Sequence, residues 1–335
     1  MSDRAKIPYV VVFVFTLEKR LMLAKKTLVA LCKTDYPNYR VILFVHTHKP
    51  ISFYSLNELK QCTKVEVVQL ISKSDRGLAF YLNLALLYIL KRYPNVTYIA
   101  HVEDDAVPTE RSWLKVLVKT LDLIPNIAIV MPTDVSLYGE VGYGGILYRN
   151  TSFCPYLVAP RSKLFYGIGT GGHCYLARRS YIEELFKNHI LPYENIFFIS
   201  CEDIDFCLKA WIRGHRVACT TLAKVIHEGM TGPKRAIHRT YNAYKNHVLL
   251  LVLNFGLRTI LTALPFRLLH DLLASIKYRE AIPFLRAYKW VIKNLRFVLW
   301  LRKIRFQYWK RVKDKNIAFM LLYRVPIPLT KPRST

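Results

Sequence analysis

Acidic residues are scarce. The 335-residue chain has 23 Asp and Glu against 50 Lys and Arg, a formal net charge of +27. The shortage is uneven. Residues 231–335 hold 22 Lys and Arg but only 3 Asp and Glu, so +19 of the charge sits there and the first 230 residues carry +8. No Cys-x-x-Cys pair occurs among the seven cysteines (Cys32, Cys62, Cys154, Cys174, Cys201, Cys207, Cys219), and their number is odd. That pattern predicts free thiols in a reducing compartment. A Gly-x-Gly-x-x-Gly loop is missing, which speaks against a dinucleotide cofactor. RNA- and DNA-reading motifs are missing too. No apolar run reaches 18 residues without a charge or an amide. Asn254, Arg258 and Arg267 interrupt the best stretch, 247–269. A spanning helix there stays open but is not favoured. The short apolar run near the N-terminus reads as a first strand, not as a secretory signal. The Asn-x-Ser/Thr triplets at Asn95 and Asn150 are then expected to stay unmodified.

What is present is apolar and periodic. A hydrophobic fraction of 52% supplies a large core for one or two domains. Residues 9–15, 40–45, 65–70, 98–102 and 127–131 read as strands. Residues 18–33, 77–92 and 110–123 carry helical spacing between them. Repeating β-α units of this length predict a mostly parallel sheet with right-handed crossovers, a Rossmann-like half suited to a nucleotide.

Residues 98–108 organise the rest. A strand that stays apolar to its end is expected to be buried on both faces. It runs straight into Glu103, Asp104 and Asp105. Three carboxylates at one strand end repel one another unless a cation lies among them. The carboxyl ends of such strands are also where α/β sheets bind ligands. Alternation places Glu103 and Asp105 on one side, as ligands for a hard metal, and Asp104 on the other. A solvated acidic turn is the plainer alternative.

Further on, Gly139, Gly142, Gly144, Gly145, Gly167, Gly169, Gly171 and Gly172 mark either binding loops or simple hairpin turns. Residues 180–188 read as a short helix. A second acidic cluster, Glu202, Asp203 and Asp205, opens a helix that ends at Gly214. Capping of that helix is the competing explanation for these acids. Residues 216–219 and 223–226 read as two strands, the second running into His227. A long helical region follows from about 241 to 323, with breaks expected at Pro265 and Pro283. His101 and His173 have no supporting pattern and read as core or surface histidines.

The order of these motifs resembles that of the family-2 inverting glycosyltransferases with the GT-A fold, over about residues 8–232. The matching stretches are Glu103-Asp104-Asp105, Glu202-Asp203-Ile204-Asp205, Lys209 through Gly214, His227, and residues 74–83 around Gly77. Three positions depart from the family pattern. Val45-His46-Thr47-His48 stands where an Asp usually holds the nucleotide base. Asp75 replaces an Asn, and Lys209 stands where an Arg is common.

The resemblance implies a metal-dependent enzyme. It would move a hexosyl or deoxyhexosyl group from a nucleotide-diphospho-sugar to a hydroxyl of a glycan or lipid-linked acceptor, with inversion. Glu103 and Asp105, joined by His227, would hold Mg²⁺ or Mn²⁺ on the diphosphate. Asp203 would be the general base and Glu202 would bind acceptor hydroxyls. Asp75, Arg76 and Asp104 would face the donor nucleotide. A catalytic domain is expected over 1–232, with a nucleotide-binding half at 1–132 and an acceptor-binding half at 133–232. A basic amphipathic helical region is expected over 233–335. Its basic residues are mixed with Leu, Phe, Tyr and Trp, which suits an anionic membrane surface. Peripheral attachment to the cytoplasmic face follows, with nucleic acid disfavoured as a partner. A helical lid packed on the catalytic domain is the alternative for this region. For the whole chain, the rivals are a nucleotidyl- or phospho-transferase on a similar sheet and a non-catalytic basic membrane- or nucleic-acid-binding protein.

Overall fold

The computed structural model describes residues 7–52, 62, 64–135, 146–148, 155–157, 162–169, 172–227 and 237–317. The first half alternates strand and helix as expected. Strands β1 (Val10–Leu17), β2 (Tyr39–Thr47) and β3 (Val65–Ile71) are joined by helix α1 (Leu21–Cys32) and the connection after β2. Helix α2 (Leu78–Arg92), strand β4 (Tyr98–Val102), the short strand β5 (Ala106–Pro108), helix α3 (Trp113–Leu123) and strand β6 (Ile127–Val135) complete it. A small ribbon pairs β7 (Ile146–Tyr148) with β8 (Pro155–Leu157). Strands β9 (Leu164–Tyr166) and β10 (Cys174–Arg178), helices α4 (Arg179–Lys187) and α5 (Glu202–Arg213), and strand β11 (Arg216–His227) follow.

Among the described residues the main sheet has the order β3-β2-β1-β4-β10-β6-β11-β5, with β9 also pairing with β11. The pairs β3-β2, β2-β1, β1-β4 and β6-β11 are parallel. Strand β10 lies antiparallel between β4 and β6. Nothing in its sequence required a strand there, because the insertion is a matter of long-range pairing. The two strands expected at 216–219 and 223–226 are one, β11, with a register shift between Thr220 and Lys224.

The sheet separates two cores. Val11, Phe13 and Phe15 of β1 point into one, and Val10, Val12 and Val14 into the other. Every residue of β4 is buried, His101 included, as its mostly apolar run predicted. Each fully buried side chain of this size contributes roughly 1.5–3 kcal/mol. Helix α5 ends at Gly214 in the left-handed conformation (φ +117°), where its N–H bonds the carbonyls of Ala210 and Trp211.

The C-terminal region is helical: α6 (Ile237–Asn254), α7 (Leu257–Lys277), α8 (Ala281–Lys293) and α9 (Leu295–Ile304), then a π-helical turn over Arg305–Trp309. The breaks fall near Gly256, Arg279 and Asn294, while Pro265 lies inside α7. Pro283 falls in the first turn of α8, where a missing N–H costs nothing. The inner faces of these helices join the first core through Leu249, Leu253, Val298 and Trp309.

A buried charge cluster ties them to α5. Asp205 accepts from Arg305 (2.6 and 3.1 Å), Lys209 (2.7 Å) and Asn254 (2.9 Å), and Arg305 also bonds Glu194 at 2.9 Å. Burial pushes the Asp205 carboxyl up, but Arg305 and Lys209 hold it down to about 2. Asp205 therefore pins the chain end rather than capping α5.

One expectation fails. Cys32 and Cys62 form a disulfide with a Cα–Cα separation of 6.0 Å. The thiols are 30 residues apart in sequence. The parallel alignment of β2 and β3 brings the end of α1 close to the segment that enters β3. The remaining described cysteines, Cys174, Cys201, Cys207 and Cys219, are not in disulfides.

Candidate active site

Three strand ends build the site. Strand β4 stops at Val102, so Glu103 to Asp105 form the turn into β5. The register of β10 sets Cys174 opposite Val102, and the Glu103 N–H bonds the His173 carbonyl at 2.8 Å. The register of β11 sets His227 opposite Ala106. Strand β6, parallel to β11, contributes Asp134.

The side chains converge. Glu103 Oε2 lies 3.2 Å from His173 Nδ1 and 3.3 Å from His227 Nε2. Asp105 Oδ1 lies 3.3 Å from the same Nε2. Asp134 is 3.6 Å from His173 Nε2. One ligand atom each from Glu103, His173 and His227 falls within a span of 4.8 Å. Two imidazoles and two carboxylates at such range form a donor set for a divalent cation. The residues present therefore fit a metal.

The electrostatics point the same way. Burial pushes Glu103 up, yet the hydrogen bonds of His173 and His227 hold it well below the ordinary range. Burial likewise lowers His227, while Asp105 and Glu103 bring it up to about 10. Buried carboxylates facing two imidazoles form a site that favours positive charge, as a metal would supply.

Asp104 lies in the turn itself, not in a strand, so alternation does not turn it away: it lines the same cavity as Glu103 and Asp105 and is fully engaged. Arg20 donates Nε and Nη2 to its two oxygens (2.8 and 2.6 Å), and Thr16 Oγ1 donates at 2.6 Å. The same Nη2 reaches Asp105 Oδ2 at 2.9 Å. Arg20 thus fixes the acidic turn and leaves Asp105 Oδ1 facing His227.

Asp203 approaches from the first turn of α5. Gly172, at φ +81°, separates it from Glu103. A Cβ there would lie 3.3 Å from Glu103 Oε1 and 3.5 Å from Asp203 Oδ2. Burial lifts the Asp203 carboxyl to about 7; a backbone N–H from Ile204 and the nearby His173 oppose this, and the charge of Glu103 adds to it. Glu202, its neighbour, is buried.

A cavity of about 460 Å³ opens beside the cluster, lined by Arg20, Glu103, Asp104, Asp105 and His227. Phe15, Tyr81 and Asp75 line it as well. Tyr81 stacks on Phe15 at 5.4 Å and on His46 at 4.4 Å. Asp75 accepts from the Gly77 N–H at 2.9 Å. Arg76 does not line the cavity; its guanidinium lies 4.2 Å from the Phe80 ring centre.

The structure brings together Glu103, Asp105, His227 and, across Gly172, Asp203. Sequence reasoning passed over His173, Asp134 and Arg20. The only signal for His173 was its place after Gly171 and Gly172 in the glycine-rich stretch. Most of that stretch lies outside the described residues, as do Gly139, Gly142, Gly144, Gly145 and Gly171.

This arrangement, a mostly parallel sheet with an acidic turn at a central strand end and a late histidine beside it, is that of the GT-A fold. No family model and no curated protein matches the chain. Among solved structures it is similar to GalNAc-T7 with UDP, GalNAc and Mn²⁺ (TM-score 0.54, 13% identity, 74% of this chain and 48% of that one). It is also similar to S. aureus TarS 1–349 in complex with UDP-GlcNAc (TM-score 0.53, 15% identity, 83% and 79%). The chain spans about half the length of the GalNAc-T7 chain. At these identities the likeness is one of fold.

Proposed function

We propose that the chain is a metal-dependent inverting glycosyltransferase acting on a nucleotide-diphospho-sugar and a hydroxyl of a glycan or lipid-linked acceptor. The observation that carries this is the convergence of Glu103, Asp105, His173 and His227 beside the cavity, with Asp203 across Gly172. The UDP in the GalNAc-T7 structure and the UDP-GlcNAc in the TarS structure support a uridine donor.

Glu103, Asp105, His173 and His227 would hold the cation. Two imidazoles among the donors suit Mn²⁺ better than Mg²⁺, which prefers all-oxygen sites. When bound there, the ion would supply positive charge to offset that of the departing diphosphate. Phe15 and Tyr81 offer flat apolar surface to a base, and Asp75 offers a carboxylate beside it. Arg20 keeps the acidic turn in place. Asp203 takes the proton from the acceptor hydroxyl as that oxygen attacks the anomeric carbon. A carboxyl lifted to about 7 is well matched to this work near neutral pH. A single displacement from the face opposite the diphosphate gives inversion.

The test is nucleoside diphosphate release from a panel of nucleotide sugars with Mn²⁺, Mg²⁺ or chelator, on the wild type and Asp105→Ala. Release from one donor that needs both the metal and Asp105 is expected. If calorimetry finds no metal-dependent binding of any nucleotide, the reading is wrong.

A further inference from the structure

Helix α7 is built inside out. Its buried stripe contains Arg267, Asp271 and Ser275 after Ile260 and Ala263. Arg267 pairs with Asp271, and Tyr288 of α8 donates to Asp271 at 2.8 Å. Its exposed stripe is apolar, with Leu261, Leu268, Leu272 and Ile276 at helical spacing. Leu261 is 65% exposed and Ile276 66%. A helix in water places these two stripes the other way round. The next helices continue the pattern: Ile282 and Ile292 of α8 and Trp300 of α9 are all exposed, Ile292 at 73%. Contiguous apolar surface of this extent marks a contact surface.

The charges identify the partner. Every exposed Lys, Arg, Asp or Glu between residues 257 and 304 is a cation, including Lys277, Arg286, Lys289, Lys293 and Lys303. The two carboxylates of that stretch, Asp271 and Glu280, are not exposed. A second copy of the chain docking here would oppose cation to cation. An anionic lipid surface meets the cations and takes up the apolar side chains.

We propose that the outer faces of α7, α8 and α9 form a platform that lies in one leaflet of an anionic membrane. Among the described residues α7 is the one helix long and apolar enough to cross a bilayer. Its polar stripe is already packed against protein, however. Helices α8 and α9, at about 20 and 15 Å, fall short of the roughly 30 Å hydrocarbon core. An orientation along the surface seats all three. The platform does not depend on the transferase reading, since neither its residues nor its test involves the donor site.

The experiment is co-sedimentation of the full chain with vesicles of phosphatidylcholine alone or with one-third phosphatidylglycerol. Binding to the anionic vesicles at low salt is expected, at least about tenfold weaker on neutral ones. Leu261→Glu/Leu272→Glu should lower binding about tenfold or more, and Lys289→Ala/Lys293→Ala a few-fold. Both variants are checked for an unchanged melting temperature. On the wild type itself, Trp300 emission should shift to the blue and be quenched by lipids brominated near the headgroup, an effect lost in Trp300→Phe. A chain that stays in the supernatant with anionic vesicles overturns the proposal. So does equal binding by the glutamate variant, or a dimer in solution that dissociates when Leu261 and Leu272 are replaced.

Discussion

The imidazoles of His173 and His227 lie stacked, with centroids 3.6 Å apart and 23° between their planes. They come from strand ends more than fifty residues apart and meet only because β10 and β11 terminate beside the same acidic turn. Glu103 lies within 3.2 and 3.3 Å of a nitrogen of each ring and Asp105 within 3.3 Å of His227, so the carboxylates hold the pair together. A divalent cation would take the lone pair of a deprotonated nitrogen from each ring, and so compete with protons for both.

Manganese binding should therefore release protons and weaken as the pH falls. Calorimetry in buffers of different ionisation enthalpy will read the proton count. His173→Ala and His227→Ala should each weaken Mn²⁺ binding by about 10- to 100-fold. A variant that binds as tightly as the wild type takes its histidine out of the site.

Asp203 is protonated below about 7 and ionised above it. As a base it works only when ionised, so the transfer rate should rise with pH through about 7 and be lost on the acid side. Metal beside Glu103 favours the carboxylate, so saturating Mn²⁺ should move that limb to lower pH. Asp203→Asn should cut transfer by about 10²- to 10⁴-fold with donor affinity nearly unchanged. Equal loss of binding and transfer in that variant would sink the assignment.

The Asp205–Arg305 pair should hold the chain end in place. Removing one partner leaves buried charge uncompensated, so Arg305→Met should cost about 3–5 kcal/mol in urea unfolding. Adding Asp205→Asn should recover part of it. The folded Asp205 carboxyl, at about 2, lies below its ordinary 3.8. Its stabilisation is present above the ordinary value and is lost as the pH falls through about 2. Additive costs in the two single variants would mean the pair is not coupled.

The Cys32–Cys62 bridge closes a 30-residue separation. By loop-closure entropy it should contribute roughly 3–4 kcal/mol, so Cys32→Ser/Cys62→Ser lowers the melting temperature. Alkylation with and without reductant, read by mass spectrometry, gives its state in cells. A bridged pair belongs to an oxidising compartment and a reduced pair to the cytoplasmic face. The compartment of the chain is thus read from one measurement.

Local pattern was legible in the chain itself. The mostly apolar run of residues 98–102 marked a buried strand, and period-3.6 spacing placed α1, α2 and α3 close to their ends. Gly214 marked the end of α5. The acidic turn announced its own chemistry, because three adjacent carboxylates need a counter-charge wherever they are. Register was not legible. His173 lies seventy residues from Glu103 and reaches it only through the antiparallel insertion of β10, and no feature of its neighbours encodes that pairing. Arg305 finds Asp205 across a hundred residues, and Cys32 finds Cys62 across thirty, for the same reason. The amphipathic reading of the C-terminal helices caught their composition. Which stripe of α7 faces inward was decided by where Asp271 finds Arg267 and Tyr288, a choice that packing makes and periodicity cannot.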